Sequence, residues 1–178
     1  YPTIAFNDLN NAQSFTMEAL ELKNLFDQTL FATSDKESRP VLTGLNFKCD
    51  NNVLEVVSTD TYRLTKKIIH LNSDLKFNVT IPRNALDNVN KIVELGQNVN
   101  ISISDKKVSF DLGDCMINTR IITGTYPDTS RLIPDDFTQI LNISTKELVG
   151  AVDRASILLT EKNNVVKLNM SQEDVYVS

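Results

Sequence analysis

Histidine occurs once in this sequence, cysteine twice, and glycine supplies only 5 of the 178 residues. Each shortage argues against a class of chemistry. One histidine, His70, and no Cys-x-x-Cys pair leave too few ligands for a zinc site. A phosphate-cradling loop is poorly supplied, because it needs glycines that let the backbone approach the anion. Cys49 and Cys115 are far apart in strand-like runs. They read as buried small hydrophobes in a compartment that keeps thiols reduced, rather than as a disulfide. No apolar run is long enough to span a bilayer and the N-terminus shows no signal-peptide pattern, so the expectation is no membrane and a cytoplasmic location. Positive charge is also scarce, with 18 Lys and Arg against 23 Asp and Glu and a net charge of −5. Proteins that grip nucleic acid by neutralising phosphates are usually basic. Tight electrostatic binding is therefore not expected, although a local basic face on an acidic body is compatible with this balance.

Apolar residues make up 41% of the chain, enough for one good core and part of a second. Residues 1–13 read as a linker or the tail of a preceding domain. Gln13–Met17 alternates like a short strand. Leu22, Leu25, Phe26, Thr29, Leu30 and Thr33 then fall at helical spacing, opposite Lys23, Asn24, Asp27 and Gln28. Leu45–Val57 alternates as two strands joined at Asp50-Asn51-Asn52, whose short polar side chains tolerate a tight hairpin. Leu64–Leu71 and Phe77–Ile81 read as strands, and Pro82 opens a second helix with Ala85, Leu86, Val89, Ile92 and Val93 on its apolar face and Gly96 as its stop. Val99–Ile103, Lys107–Leu112 and Cys115–Ile122 alternate as further strands. Pro127 and Pro134 bracket a boundary loop.

The pattern then begins again. Phe137–Ile143 reads as a strand, Ser144 and Glu147 as a capping box, and Leu148, Ala151, Val152, Ala155, Leu158 and Leu159 as a helical stripe. Val165–Met170 and Val175–Ser178 read as a hairpin. Leu22, Leu25, Phe26 and Asp27 align with Leu148, Ala151, Val152 and Asp153, a shift of roughly 125 residues, about one small domain. Antiparallel strands with two helices per unit indicate an α+β layer arrangement. The domains expected are a complete one over residues 14–134 and the first part of another over 135–178.

Ser58-Thr59-Asp60-Thr61-Tyr62-Arg63-Leu64 and Arg39-Pro40-Val41-Leu42-Thr43-Gly44 flank the first hairpin. The hairpin carries Leu42 toward the Ser58–Leu64 end. By residue chemistry alone Leu42 and Leu64 are compatible with ordinary core, and Asp60 with Arg63 with an ordinary turn pair. Ser58–Leu64 resembles the Ala-Thr-Asp-x-(His/Tyr)-Arg-Leu signature of the bacterial sliding clamps, the beta subunits of DNA polymerase III. Arg39–Gly44 resembles the segment that precedes it in that family. Thr123-Gly124-Thr125-Tyr126-Pro127-Asp128 resembles its Gly-x-(Phe/Tyr)-Pro-Asp turn. The motifs stand in the family's order, and the resemblance extends over essentially the whole chain.

The resemblance implies the DNA clamp fold, with antiparallel sheets outside and two helices per domain lining a hole. Three domains make a protomer and two protomers close a homodimeric ring. It implies a processivity factor of DNA replication without intrinsic catalysis and with no cofactor or metal. Such a factor belongs to the polymerase holoenzyme and encircles double-stranded DNA without sequence preference. Lys23, Arg39, Arg83, Lys91, Lys146 and Arg154 are the expected DNA-facing residues, with Asn24, Gln28, Asn84 and Asn88 as polar neighbours; each also fits an ordinary solvated helix face. No aromatic ladder is interleaved with them, so single-strand stacking is not expected. Many clamps carry aromatics where Pro40 and Val41 stand, which puts sugar or base contact there in doubt.

The resemblance also implies a pocket for a short peptide, often containing glutamine and ending in leucine-phenylalanine, from the polymerase alpha subunit, the clamp loader and repair polymerases. The positions carried over are Leu42, Thr59, Thr61, Tyr62, Arg63, Leu64, Pro127 and Leu132. Tyr62 stands where many clamps have histidine, and Thr61 where many have glycine or serine. The rest of the pocket wall lies in the family's third domain beyond what this chain contains. The fragment should therefore bind such a peptide more weakly than a whole clamp and should not close a ring alone. Two other readings compete: a β-rich interaction domain without a DNA role, and a hydrolase using His70 with Ser73 or Asp74. The second lacks any nucleophile elbow or glycine-rich loop. A site at Asp105, Asp111 and Asp114 is weaker still, since these positions look like hairpin turns and edges.

Overall fold

The computed structural model describes residues 12–134, 136–157, 165–171 and 174–178. Residues 1–11, Leu158 and Leu159 lie outside the described residues. Contacts divide the chain into two units after Asp128.

The first unit is built from one motif used twice. Strand β1 (Gln13–Glu18), helix α1 (Ala19–Thr29), and strands β2 (Gly44–Asp50), β3 (Val53–Thr59) and β4 (Leu64–His70) form the first half. Strand β5 (Phe77–Pro82), helix α2 (Arg83–Ile92), and strands β6 (Asn98–Ile103), β7 (Lys107–Asp111) and β8 (Met116–Arg120) form the second. Each half lends its first strand to the other's sheet. One sheet runs β1-β6-β7-β8, the other β5-β2-β3-β4, and every pairing is antiparallel. The exchange ties the halves into one core, because neither sheet is complete without a strand from the opposite half.

Periodicity explains most of these elements. All six residues of the α1 stripe are buried, including Thr29 and Thr33, whose hydroxyls donate to Leu25 O and Leu30 O at 2.6 and 2.8 Å. Backbone carbonyls thus satisfy hydroxyls that would otherwise be costly to bury. Leu22, Leu25 and Phe26 pack with Phe47, Leu54 and Phe110 of the sheets. Fully burying each such side chain contributes about 1.5–3 kcal/mol. The β2–β3 hairpin turns at Asn51 and Asn52 with φ of 49° and 66°, the left-handed pair that a two-residue turn requires.

Three readings of the first unit need correction. α2 ends at Ile92 and not at Gly96, because Val93 turns extended (φ −62°, ψ 127°) to bury its side chain. Gly96, at φ +85°, instead redirects the chain toward β6. Ile92 is itself half exposed. Cys115 is exposed, unlike the buried Cys49. It sits in the β7–β8 turn, where its carbonyl accepts the Leu112 N–H at 2.9 Å, and it falls outside the strand alternation.

The second unit holds helix α3 (Thr145–Ser156) and a hairpin of β9 (Leu168–Met170) and β10 (Val175–Val177). The strand expected over 137–143 is absent among the described residues, and Phe137 and Ile140 are 63% and 81% exposed. In the first unit the matching strand, β1, pairs with β6. The described residues of the second unit contain no such partner, and an unpaired strand has nothing to hold it extended. Ser144 precedes α3, but no capping box forms; its side chain makes no cap bond, and its carbonyl accepts the Leu148 N–H at 3.0 Å. The first turn is exposed, so water can satisfy its amides.

Candidate functional site

The loop between β3 and β4 is wound on its own side chains. Thr59 Oγ1 accepts the Thr61 N–H at 3.0 Å and donates to Arg63 O at 2.7 Å. Asp60 Oδ1 accepts the N–H groups of Tyr62 and Arg63 at 2.9 and 3.0 Å, and Oδ2 accepts Arg63 Nε–H at 3.0 Å. The Arg63 and Tyr62 amides, ahead of the Arg63 guanidinium, hold the Asp60 carboxyl below its ordinary pKa. Between them Thr61 is forced to φ +80°, a conformation costly for a β-branched residue. Tyr62 consequently stands at the tip, 89% exposed. The Arg63 guanidinium lies 5.6 Å from the ring centre of Phe31, which is itself half exposed.

Both other motifs approach this loop within the first unit. Tyr126 Oη accepts the Thr59 N–H at 3.1 Å, bridging 67 positions of sequence. A Cβ on Gly124, whose φ is +128°, would stand 2.7 Å from Val41 Cγ1, so the Thr123–Tyr126 segment lies hard against the Arg39–Gly44 segment. The short 3-10 helix Pro40–Thr43 carries Leu42, which is 2% exposed. Leu64 is half buried and Pro127 exposed. Leu132 belongs to the second unit, where it is exposed and its N–H donates to Thr129 O. Two residues that touch the loop were not singled out in the sequence: Phe31, an aromatic just off the α1 stripe, and Tyr126, present in a quoted motif but with no role given to its hydroxyl.

The basic residues meet different fates. Lys23 Nζ donates to Asn90 O at 2.7 Å, and Asn90 Nδ2 donates to Asp27 Oδ1 at 3.2 Å, so Lys23 is engaged in joining α1 to α2. Arg83 pairs with Asp35 at 2.9 Å and with Asp87 at 3.5 Å. Arg39 and Lys91 are exposed and carry no ion pair among the described residues. Lys146 and Arg154 are exposed on α3 in the second unit.

Elsewhere, a cavity of about 810 Å³ opens where β5 approaches the end of β8, near the lone bridge between Thr80 and Ile122. His70 is exposed at the end of β4 and shares a shallow cleft with Ser73, yet no hydrogen bond joins it to Ser73 or Asp74 among the described residues. Asp105 lies at one end of β7 and Asp111 and Asp114 at the other, so they do not converge.

Residues 16–128 match the family model described as the DNA polymerase III beta subunit, central domain, and residues 130–178 the model of its C-terminal domain. The chain is 41% identical over 152 residues to the beta sliding clamp of Bacillus subtilis, covering 83% of this chain and 40% of that protein. It is 35% identical over 181 residues to the beta sliding clamp of Staphylococcus epidermidis, covering all of this chain and 48% of that one. The crystal structure of the DNA polymerase sliding clamp from Bacillus subtilis superposes with a TM-score of 0.89 at 36% identity, over 94% of this chain and 46% of that one. The chain thus spans less than half the length of these relatives.

Proposed function

The chain belongs to the DNA polymerase III beta subunit family, and from that premise we propose that it is part of a sliding clamp, a ring that encircles duplex DNA and tethers the replicative polymerase to it. The observation that carries this reading is the Thr59–Tyr126 hydrogen bond, which holds the signature loop beside the segment leading to Pro127. A peptide pocket needs those two segments together. Its apolar walls would take leucine and aromatic anchors, while Thr59, Thr61 and Arg63 fix polar atoms of the peptide. Leu42 supplies the floor, Leu64 and Pro127 the sides, and Tyr62 a ring at the entrance. The occupants are short peptides of the polymerase alpha subunit, the clamp loader and repair polymerases.

The duplex would be held weakly. Lys23 and Arg83 are already engaged, so among the described residues Arg39 and Lys91 are the expected cations of the first unit left without an ion pair; Lys146 and Arg154 are exposed on α3. At about −0.9 in log affinity per phosphate contacted, a set of about four such cations gives a salt dependence well below that of a protein gripping six to ten phosphates. Topological closure, made by a homodimer of whole protomers, replaces grip. An acidic body is then no handicap, and sliding stays fast. The relatives are named beta sliding clamps; the chain would contribute tethering in the cytoplasm, and bond formation would stay with the alpha subunit.

The test is a titration of this chain with a synthetic peptide that contains glutamine and ends in leucine-phenylalanine, followed by NMR. Saturable shifts clustered at residues 59–64 and 126–128 are expected, with an affinity below that of a whole clamp. Shifts centred elsewhere, no binding, or equal affinity in fragment and whole clamp would each count against the corresponding part of the reading.

A further inference from the structure

The signature loop stores an unfavourable backbone conformation, and one group outside it holds the loop at its start. Its internal bonds, from the Thr59 hydroxyl and the Asp60 carboxylate, tie the loop to itself. They leave open where the loop points. Thr61 at φ +80° works against the arrangement, because a β-branched side chain crowds its own backbone there. Such a conformation persists only when its surroundings over-determine it. Thr59 closes the β3–β4 ladder opposite Leu64, and a side chain from outside the hairpin reaches the loop backbone where the Thr59 N–H donates to Tyr126 Oη at 3.1 Å. The acceptor is well fixed. Tyr126 is partly buried, and Gly124 seats its segment against Val41 so closely that no side chain would fit. Burial pushes the Tyr126 phenol up to about 12, so the hydroxyl keeps its proton at neutral pH and the contact does not titrate there.

We propose that the Tyr126 hydroxyl is a positioning group for peptide capture: by holding the Thr59 amide it keeps the strained Thr61 turn in place and presents Tyr62 and Leu64 to the incoming peptide in one fixed geometry. The inference rests on the peptide-binding reading above and deepens it. Its physical content is preorganisation. A loop that must be ordered on binding loses affinity to the entropy of ordering, and a latch made beforehand removes that cost. A phenylalanine at this position would keep the ring and lose the latch.

The experiment uses this chain, a peptide containing glutamine and ending in leucine-phenylalanine, and the variants Tyr126→Phe, Thr61→Gly and their combination. Tyr126→Phe should weaken binding about five- to tenfold, the effect of losing roughly one hydrogen bond. It should speed hydrogen exchange at the Thr59 amide and leave the melting of the first unit nearly unchanged. Glycine adopts φ +80° without the β-branched penalty, so in the Thr61→Gly background, whatever affinity that variant itself retains, adding Tyr126→Phe should cost no more than about twofold. A merely structural tyrosine would cost both backgrounds equally. Equal binding by the unaltered chain and Tyr126→Phe, or strictly additive losses in the double variant, would overturn the latch. Absence of binding by the unaltered chain would instead overturn the peptide-capture reading on which it rests, with the Thr59 exchange rate still reporting on the hydrogen bond itself.

Discussion

Helices α1 and α3 carry the same pattern and live in different surroundings. Leu22, Leu25 and Phe26 of α1 are fully buried, whereas no residue of α3 is, and the matching Leu148, Ala151 and Val152 are only half covered. Both helices form, since each has an apolar stripe and enough length. The difference is what lies beneath them. In the first unit two four-stranded sheets, each completed by a strand from the other half, supply the floor. In the second the described residues supply one two-stranded hairpin. An amphipathic pattern specifies a face; the stabilisation it delivers is set by the partner that covers it.

The comparison is open to attack in several places. The largest effect should come from Phe26→Ala against Val152→Ala. The first leaves a cavity in a closed core and should cost about 3–5 kcal/mol, while the second should cost about 1 kcal/mol or less. Urea unfolding followed by probes in each unit checks this, and equal costs would erase the distinction drawn here. Next are two glycines. A Cβ on Gly44 would clash with Ile81 O, inside the β2–β5 pairing, so Gly44→Ala should destabilise the first unit by about 1–3 kcal/mol. A Cβ on Gly150 meets only the far end of Arg154 at 3.4 Å, so Gly150→Ala should stabilise α3 by about 0.5–1 kcal/mol. Thermal melts of the two variants should therefore move in opposite directions. The smallest effect is at the loop. The Asp60 carboxyl is held below its ordinary value of 3.8, so its contribution is present above that value and is lost as the pH falls through the lower folded value. NMR titration should show the Tyr62 and Arg63 amides releasing over that acid range, and Asp60→Asn should abolish the transition.

The candidate site was partly legible before any coordinates. The Ser58–Leu64 loop, the Arg39–Gly44 segment and the Thr123–Asp128 turn could be picked out because each is a contiguous run with its own local chemistry. Asp60 meets its partners within three residues, so spacing alone pairs it with Arg63. The engagement of Lys23 by Asn90 and of Arg83 by Asp35 was not legible, because both partners reach them from far along the chain; only the Asp87 pair of Arg83 is local. Tyr126 was visible as part of a motif, but its contact with Thr59 was not. The strand misread at 137–143 has the same origin: alternation records which side chains prefer burial and says nothing about whether a partner strand is within reach.

By itself the sequence determined the elements that follow from local rules. These include the α1 stripe, the Asn51-Asn52 turn, most strand positions and the family to which the motifs belong. Tertiary structure alone decided that β1 joins β6 and β5 joins β2, which charges remain free, and which of the two similar helices is buried. The physical reason is range. Periodicity and turn chemistry act over a few residues, whereas strand pairing, charge neutralisation and burial are settled by groups that sequence separates widely and folding brings within a few ångströms.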